Sequence, residues 1–79
     1  MATQSCNMSQ LNVGESAVID SFTDDELSLK LLEMGCIPGE TVKVDRIAPL
    51  GDHITITVLD YTLCLRKSEA ATILVRGES

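Results

Sequence analysis

Between Leu31 and Arg66 a helix end, two glycine turns and three strand-like runs follow one another with almost no slack, and this punctuation leaves the chain few ways to fold. Ile54, Ile56 and Val58 alternate with Thr55 and Thr57, the period of a strand with one buried face. Leu59-Asp60 then turns the chain tightly, and Tyr61, Leu63 and Leu65 alternate with Thr62, Cys64 and Arg66 in a partner strand. Upstream, Val42 and Val44 alternate with Thr41, Lys43 and Asp45, but the next apolar residue is Ile47, so the parity slips by one at Arg46. A bulge or sharp bend there lets a small sheet curl on itself. Pro38-Gly39 occupies the two central positions of a type II turn, proline presetting the first dihedral and glycine supplying the positive second one.

A helix precedes this unit. Thr23 is placed to cap it, Glu26 to return the bond three residues on, and Phe22 to pack on Leu27 as a hydrophobic staple. Leu27, Leu31 and Met34 repeat at helical spacing, with Leu29 and Leu32 widening the apolar face. Gly35 follows as a left-handed cap, with Cys36 placed to contact Leu31, so the helix ends at about Met34. Asp24, Asp25 and Glu26 put three carboxylates at the positive end of the helix dipole, which accounts for them without a metal.

The flanks complete the plan. Residues 1–9 are polar and aperiodic and read as a mobile tail with nothing to bury, order beginning near Leu11. Ala17-Val18-Ile19 is a short strand whose facing is ambiguous. Ser68 to Ala71 forms one capped helical turn, Ile73-Leu74-Val75 a last strand, and residues 77–79 a polar end. The expected domain covers residues 10–76. It is mainly β: a small, partly open, five-stranded barrel with one helix between the first and second strands and a short helical turn before the last strand.

Composition narrows the function. At 79 residues with one Phe, one Tyr and no Trp, the core must be aliphatic and there is little room for a deep cleft. A net charge of −6 repels phosphate backbones and anionic membrane surfaces, so neither nucleic acid nor lipid is expected as a partner. Three cysteines cannot all pair within the chain, no zinc-site spacing occurs, and the sequence shows neither a secretion signal nor an apolar span. The expected location is the cytoplasm.

Candidates for chemistry are sparse. His53 beside Asp52 makes an incomplete metal shell, and Cys36 and Cys64 read as small packing residues. A single histidine supports no nucleophile–base–orienter set, so no catalytic residue, metal ligand or cofactor is expected and the protein is not read as an enzyme. Arg66 or Arg46 as an arginine finger requires a reach that a strand pattern and a bend do not favour. Apolar residues without an evident core position fit better: Leu50 at a hairpin tip between Pro49 and Gly51 reads either as an exposed anchor or as a lid over the barrel mouth, with Leu29 and Leu59 as weaker examples.

Leu31-Leu32-Glu33-Met34-Gly35-Cys36-Ile37-Pro38-Gly39, then Arg46-Ile47-Ala48-Pro49-Leu50-Gly51-Asp52, then Leu63-Cys64-Leu65-Arg66-Lys67 resemble the FeoA family in order and spacing, over roughly Leu11 to Val75. The resemblance implies an SH3-like barrel and a small cytosolic accessory that binds and regulates the GTPase part of a FeoB-like ferrous-iron transporter. The chain departs from the family pattern at His53, where Pro is usual, and at Lys30, where Arg is frequent. With the resemblance, the docking surface is expected at Pro49, Leu50, Gly51, Asp52 and His53, with Leu29 as a neighbour. Alternatives are a small metal-binding, iron-handling protein, a GTPase activator acting through Arg66, or a detached C-terminal domain of a DtxR-like metal-dependent repressor. The last would require this chain to be a fragment, since no helix-turn-helix is present. Exposed strand edges also allow pairing between copies.

Overall fold

A two-residue turn at Leu59-Asp60 pairs Val58 with Tyr61, and from that pair the register of a long hairpin is fixed back to His53 opposite Arg66. The computed structural model describes residues 6–77. The hairpin strands are β4 (His53–Val58) and β5 (Tyr61–Arg66), with Ile54, Ile56, Val58 and Leu65 fully buried on the inner face. Period-two alternation explains this arrangement, since a strand sends successive side chains to opposite faces.

The preceding strand, β3 (Thr41–Ile47), pairs with β4, and its register jumps between Val44, opposite Ile56, and Arg46, opposite Thr55. Asp45 is the extra residue, and its carboxylate accepts a hydrogen bond from the Thr57 hydroxyl of β4. The parity slip at Arg46 is thus a bulge, as the sequence spacing requires. A second register shift lies between Ile19 and Ser21, where β2 (Ser16–Phe22) pairs with β6 (Ile73–Gly77). Bulges increase local twist, and two of them bend one antiparallel sheet around a common core.

The helix α1 (Asp25–Glu33) connects β2 to β3. Its end is built as a Schellman motif: the Cys36 N–H donates to Leu31 C=O at 2.9 Å, the Gly35 N–H donates to Leu32 C=O at 3.1 Å, and Gly35 has φ of +103°. Leu31 and Cys36 are both fully buried, the apolar contact that accompanies the motif. The adjoining turn also forms as expected, with Gly39 at φ +96° and the Glu40 N–H donating to Ile37 C=O at 3.0 Å.

Several expectations are corrected. The cap of α1 is Asp24, whose Oδ1 accepts from the Leu27 N–H at 3.0 Å. Thr23 instead donates its backbone N–H across the fold to Thr72 C=O at 2.8 Å, a tertiary bond that removes it from capping. Leu29 and Leu32 do not widen a buried face: both are exposed, and only Leu31 of α1 is fully enclosed. His53 begins β4 rather than ending the loop. Of the three consecutive apolar residues in β2, Ala17 and Ile19 point inward while Val18 is half-buried, which resolves the facing.

The largest correction is at the N-terminus. Residues 1–5 and 78–79 lie outside the described residues. Cys6 and Asn7, however, form a short strand, β1, that pairs with Val75 and Leu74 of β6, so the sheet has six strands in the order β1-β6-β2-β3-β4-β5. A 3-10 turn follows over Met8–Gln10, capped by Asn7, whose Oδ1 accepts from the Ser9 N–H at 3.0 Å. Met8 is completely buried, so the reading of residues 1–9 as a tail with nothing to bury fails at its second half. At the other end Gly77, assigned from sequence to the polar end, is the last residue of β6 and pairs with Ala17.

The two edge strands, β1 and β5, are not hydrogen-bonded to each other among the described residues. The gap between them is covered by α2 (Lys67–Ala70), which packs on the 3-10 turn and on β5 and buries Ala70 completely. The result is a curled, partly open barrel with an aliphatic interior.

Two measurements check this architecture. Met8→Ala should destabilise the protein by about 2–5 kcal/mol in urea unfolding, since it empties a filled core position; a change near zero would detach the N-terminal arm from the core. Leu59, the first residue of the β4–β5 turn, has φ of +56°. A side chain there costs roughly 1–2 kcal/mol, so Leu59→Gly should raise stability by about 0.5–1 kcal/mol once the glycine's greater unfolded-state freedom is subtracted.

Candidate functional site

The connector between β3 and β4 is shaped by local bonds. The Gly51 N–H donates to Ala48 C=O at 2.7 Å, Gly51 takes φ of +76°, and the Ala48 N–H donates to His53 C=O at 2.9 Å. This closes the loop on itself and drives Leu50 outward, where it is 90% exposed. Leu50 therefore does not fold back as a lid over the barrel mouth. Leu29 is 66% exposed on α1.

The loop is held to the start of α2 by one bond, from the Lys67 N–H to Asp52 C=O at 2.9 Å. Between the two segments lies a cleft of about 550 Å³ lined by Leu50, Gly51, Asp52, His53, Arg66, Lys67 and Ser68. Sequence reasoning placed the loop but not its wall. The register of the β4–β5 hairpin carried the missing signal, because a two-residue turn at Leu59-Asp60 sets Arg66 directly across from His53.

The charges of the cleft are unequal in their engagement. His53 Nδ1 lies 3.3 Å from Asp52 Oδ1. Arg66 and Lys67 enter no ion pair among the described residues. Glu69, one turn further on, is fully occupied: its Oε1 accepts from the Arg66 backbone N–H at 2.9 Å and its Oε2 from Lys30 Nζ at 3.3 Å. The Arg66 N–H bond, followed by the Lys30 ammonium, holds the Glu69 carboxyl below its ordinary range. Lys30, a position where the resemblance put Arg, thus ties α1 to α2.

The remaining candidates separate in space. Cys36 is buried in the core and its thiol is pushed up by burial, whereas Cys64 is exposed on the outer side of β5, so the two do not form one site. Asp24 spends its carboxylate on the cap of α1. No group of three or more His, Cys, Asp or Glu side chains gathers among the described residues. Arg46 lies exposed beside the β3 bulge, and Arg66 at the junction of β5 and α2. No helix of the described residues is long and apolar enough to cross a membrane.

A six-stranded antiparallel sheet curled around an aliphatic core, with a small helix in its opening, defines an SH3-like domain. The chain belongs to the FeoA domain family, whose pattern matches residues 6–77. It is 38% identical over 69 residues to an Fe(2+) transport protein A/Fe(2+) transporter FeoB fusion protein of Porphyromonas gingivalis, an alignment that takes in 86% of this chain and 8% of that protein. The chain therefore spans only a small part of that relative's length. Among solved structures it is similar to FeoA of Stenotrophomonas maltophilia, described as a prokaryotic SH3 domain protein in complex with zinc, with a TM-score of 0.75 at 30% identity over 95% of this chain and 89% of that one. A manganese-dependent transcriptional repressor shares the fold alone, with a TM-score of 0.86 at 12% identity over 99% of this chain and 44% of the repressor.

The Glu69 contacts make the site's stability pH-dependent. Because its folded-state pKa is lowered, the stabilisation is fully present above the ordinary value of 4.5 and is lost as pH falls through the folded-state value. Urea unfolding of Glu69→Gln should show a reduced midpoint at pH 7 and a difference from the parent that shrinks below about pH 4.5.

Proposed function

We propose that this domain is a non-enzymatic accessory of ferrous-iron transport, working in the cytoplasm and docking through Pro49, Leu50, Gly51, Asp52 and His53 onto the cytosolic GTPase part of a FeoB-like transporter. The observation that carries the reading is the Porphyromonas gingivalis relative, in which a protein of this type and FeoB are one polypeptide. Fusion holds two modules at high effective concentration, an arrangement suited to a contact that is weak between separate chains. Leu50 supports the loop as the contact point: a leucine 90% exposed at the tip of a pinned loop is an anchor awaiting a pocket. Leu29, exposed on α1, is the remaining contact of this docking surface.

A second reading, metal binding by the domain itself, is favoured by one observation, the zinc in the Stenotrophomonas maltophilia structure. On this chain it would begin from His53 and Asp52, two donors 3.3 Å apart that need further ligands from outside the described cluster. The likeness to the repressor, at 12% identity, supports a shared fold and no shared task.

Titration against the purified cytosolic GTPase domain of the transporter tests the docking reading. Leu50→Asp should weaken binding by at least about tenfold while leaving the melting temperature unchanged, since it removes an anchor and no core contact. Unchanged binding by a folded variant would remove the loop from the mechanism. Calorimetry with zinc or ferrous ions, repeated on His53→Ala, separates the metal reading from the adaptor reading.

A further inference from the structure

From the cleft between the loop and α2 we infer that the partner segment received here is acidic as well as apolar: a short stretch of protein that places one or two carboxylates against Arg66 and Lys67 and an apolar side chain against Leu50. The inference rests on the docking reading above and specifies the chemistry of the surface met. In a chain of net charge −6, the cleft brings together Arg66, Lys67 and His53 around Leu50 and Ser68. Two of the chain's other cations, Lys30 and Arg76, are already committed to Glu69 and Asp20. Arg66 and Lys67 have no such partner among the described residues, and Asp52, the one carboxylate lining the cleft, is turned to His53 at 3.3 Å.

The walls are prepared for a ligand. Glu69 holds the Arg66 backbone N–H at 2.9 Å and the Lys67 N–H holds the Asp52 carbonyl at 2.9 Å, so backbone bonds fix both sides of the cleft, while neither cationic side chain forms an ion pair among the described residues and the Arg66 guanidinium adds only a lesser pull on the Glu69 carboxylate. Backbone ordering is completed in folding, so binding has only the arginine and lysine side chains left to order. An arginine presents a planar fork suited to a carboxylate, and a lysine beside it adds a point charge.

The choice of a protein segment over another anion follows from Leu50 and from the whole-molecule charge. A leucine in water gains nothing from a phosphate, and apolar cover for it comes from a protein pocket or a lipid surface. A polyanion such as nucleic acid or an anionic membrane would place many charges within reach of the negative field of the chain, whereas a segment with one or two carboxylates stays within the screening length of the cleft.

The test uses the full chain and two probes, the transporter's cytosolic GTPase domain and the hexapeptide Leu-Glu-Glu-Leu-Glu-Glu with its glutamine counterpart. Lys67→Glu and Arg66→Gln should each weaken binding of the GTPase domain by about tenfold, while Lys43→Glu, exposed on β3 outside the cleft, should change it by less than about twofold. Parent binding should also fall several-fold between about 50 and 500 mM NaCl. The acidic hexapeptide, and not its glutamine counterpart, should shift the amide resonances of Leu50 to His53 and Arg66 to Ser68. If the GTPase domain binds but ignores both substitutions and salt, the acidic-segment inference is overturned and docking stands. If the GTPase domain does not bind and the hexapeptide does, the transporter reading fails and the cleft chemistry stands. Equal shifts from inorganic phosphate and the hexapeptide, or none from either, would overturn the inference. Both substitutions keep the Arg66 backbone N–H that Glu69 accepts, and Lys67→Glu decides the test by itself if Arg66→Gln loses its fold.

Discussion

The two-residue turn between β4 and β5 sets more of this molecule than any other local event. Once Val58 faces Tyr61, every pair back to His53 and Arg66 is determined, and so is the face each side chain occupies, because a slip by one residue would turn Ile54, Ile56 and Leu65 out to water. The same register delivers the chain to the start of α2 beside the β3–β4 loop, where the Lys67 N–H meets the Asp52 carbonyl. The core and the cleft are thus two faces of one pairing. The turn achieves this with Leu59 in a left-handed conformation that a glycine would adopt without strain, so a local cost is carried by the long ladder it starts.

What could be read from the residues followed how local the causes are. The strand alternation over Ile54 to Leu65, the bulge demanded by the spacing of Val44 and Ile47, and the glycine end of α1 are each decided within a few residues, and the structure has them where the pattern requires. The errors occur where a distant partner wins. Thr23 is an able cap, yet Thr72 offers its backbone a bond from the opposite end of the chain, and Asp24 caps in its place. Cys6 to Gln10 contains no periodicity at all, and its order comes from pairing with β6 and from the pocket that Met8 fills. No window of the sequence contains that pocket.

The candidate site divides in the same way. The loop was legible, since Pro49, Gly51 and a strand on either side specify a hairpin connector, but the course of Leu50 was open until the bonds around Gly51 turned it to solvent. The cationic wall was not, because it requires the register of one hairpin to be carried forward into a helix that begins after it. Electrostatics then assigns the side chains their tasks: Glu69 satisfies α2 and fastens α1 through Lys30, leaving Arg66 and Lys67 without an ion pair among the described residues.

Met8 ties the closure of the core to the shortest strand of the sheet. Its side chain is fully buried directly after a strand of only two residues, and so short an edge strand is the part of a sheet most prone to lift without the rest unfolding. An oxidant reaches the sulfur only during such excursions, and the polar sulfoxide it leaves no longer suits the aliphatic cavity. A passing, reversible fraying of the arm would thereby be converted into a lasting chemical mark on the molecule.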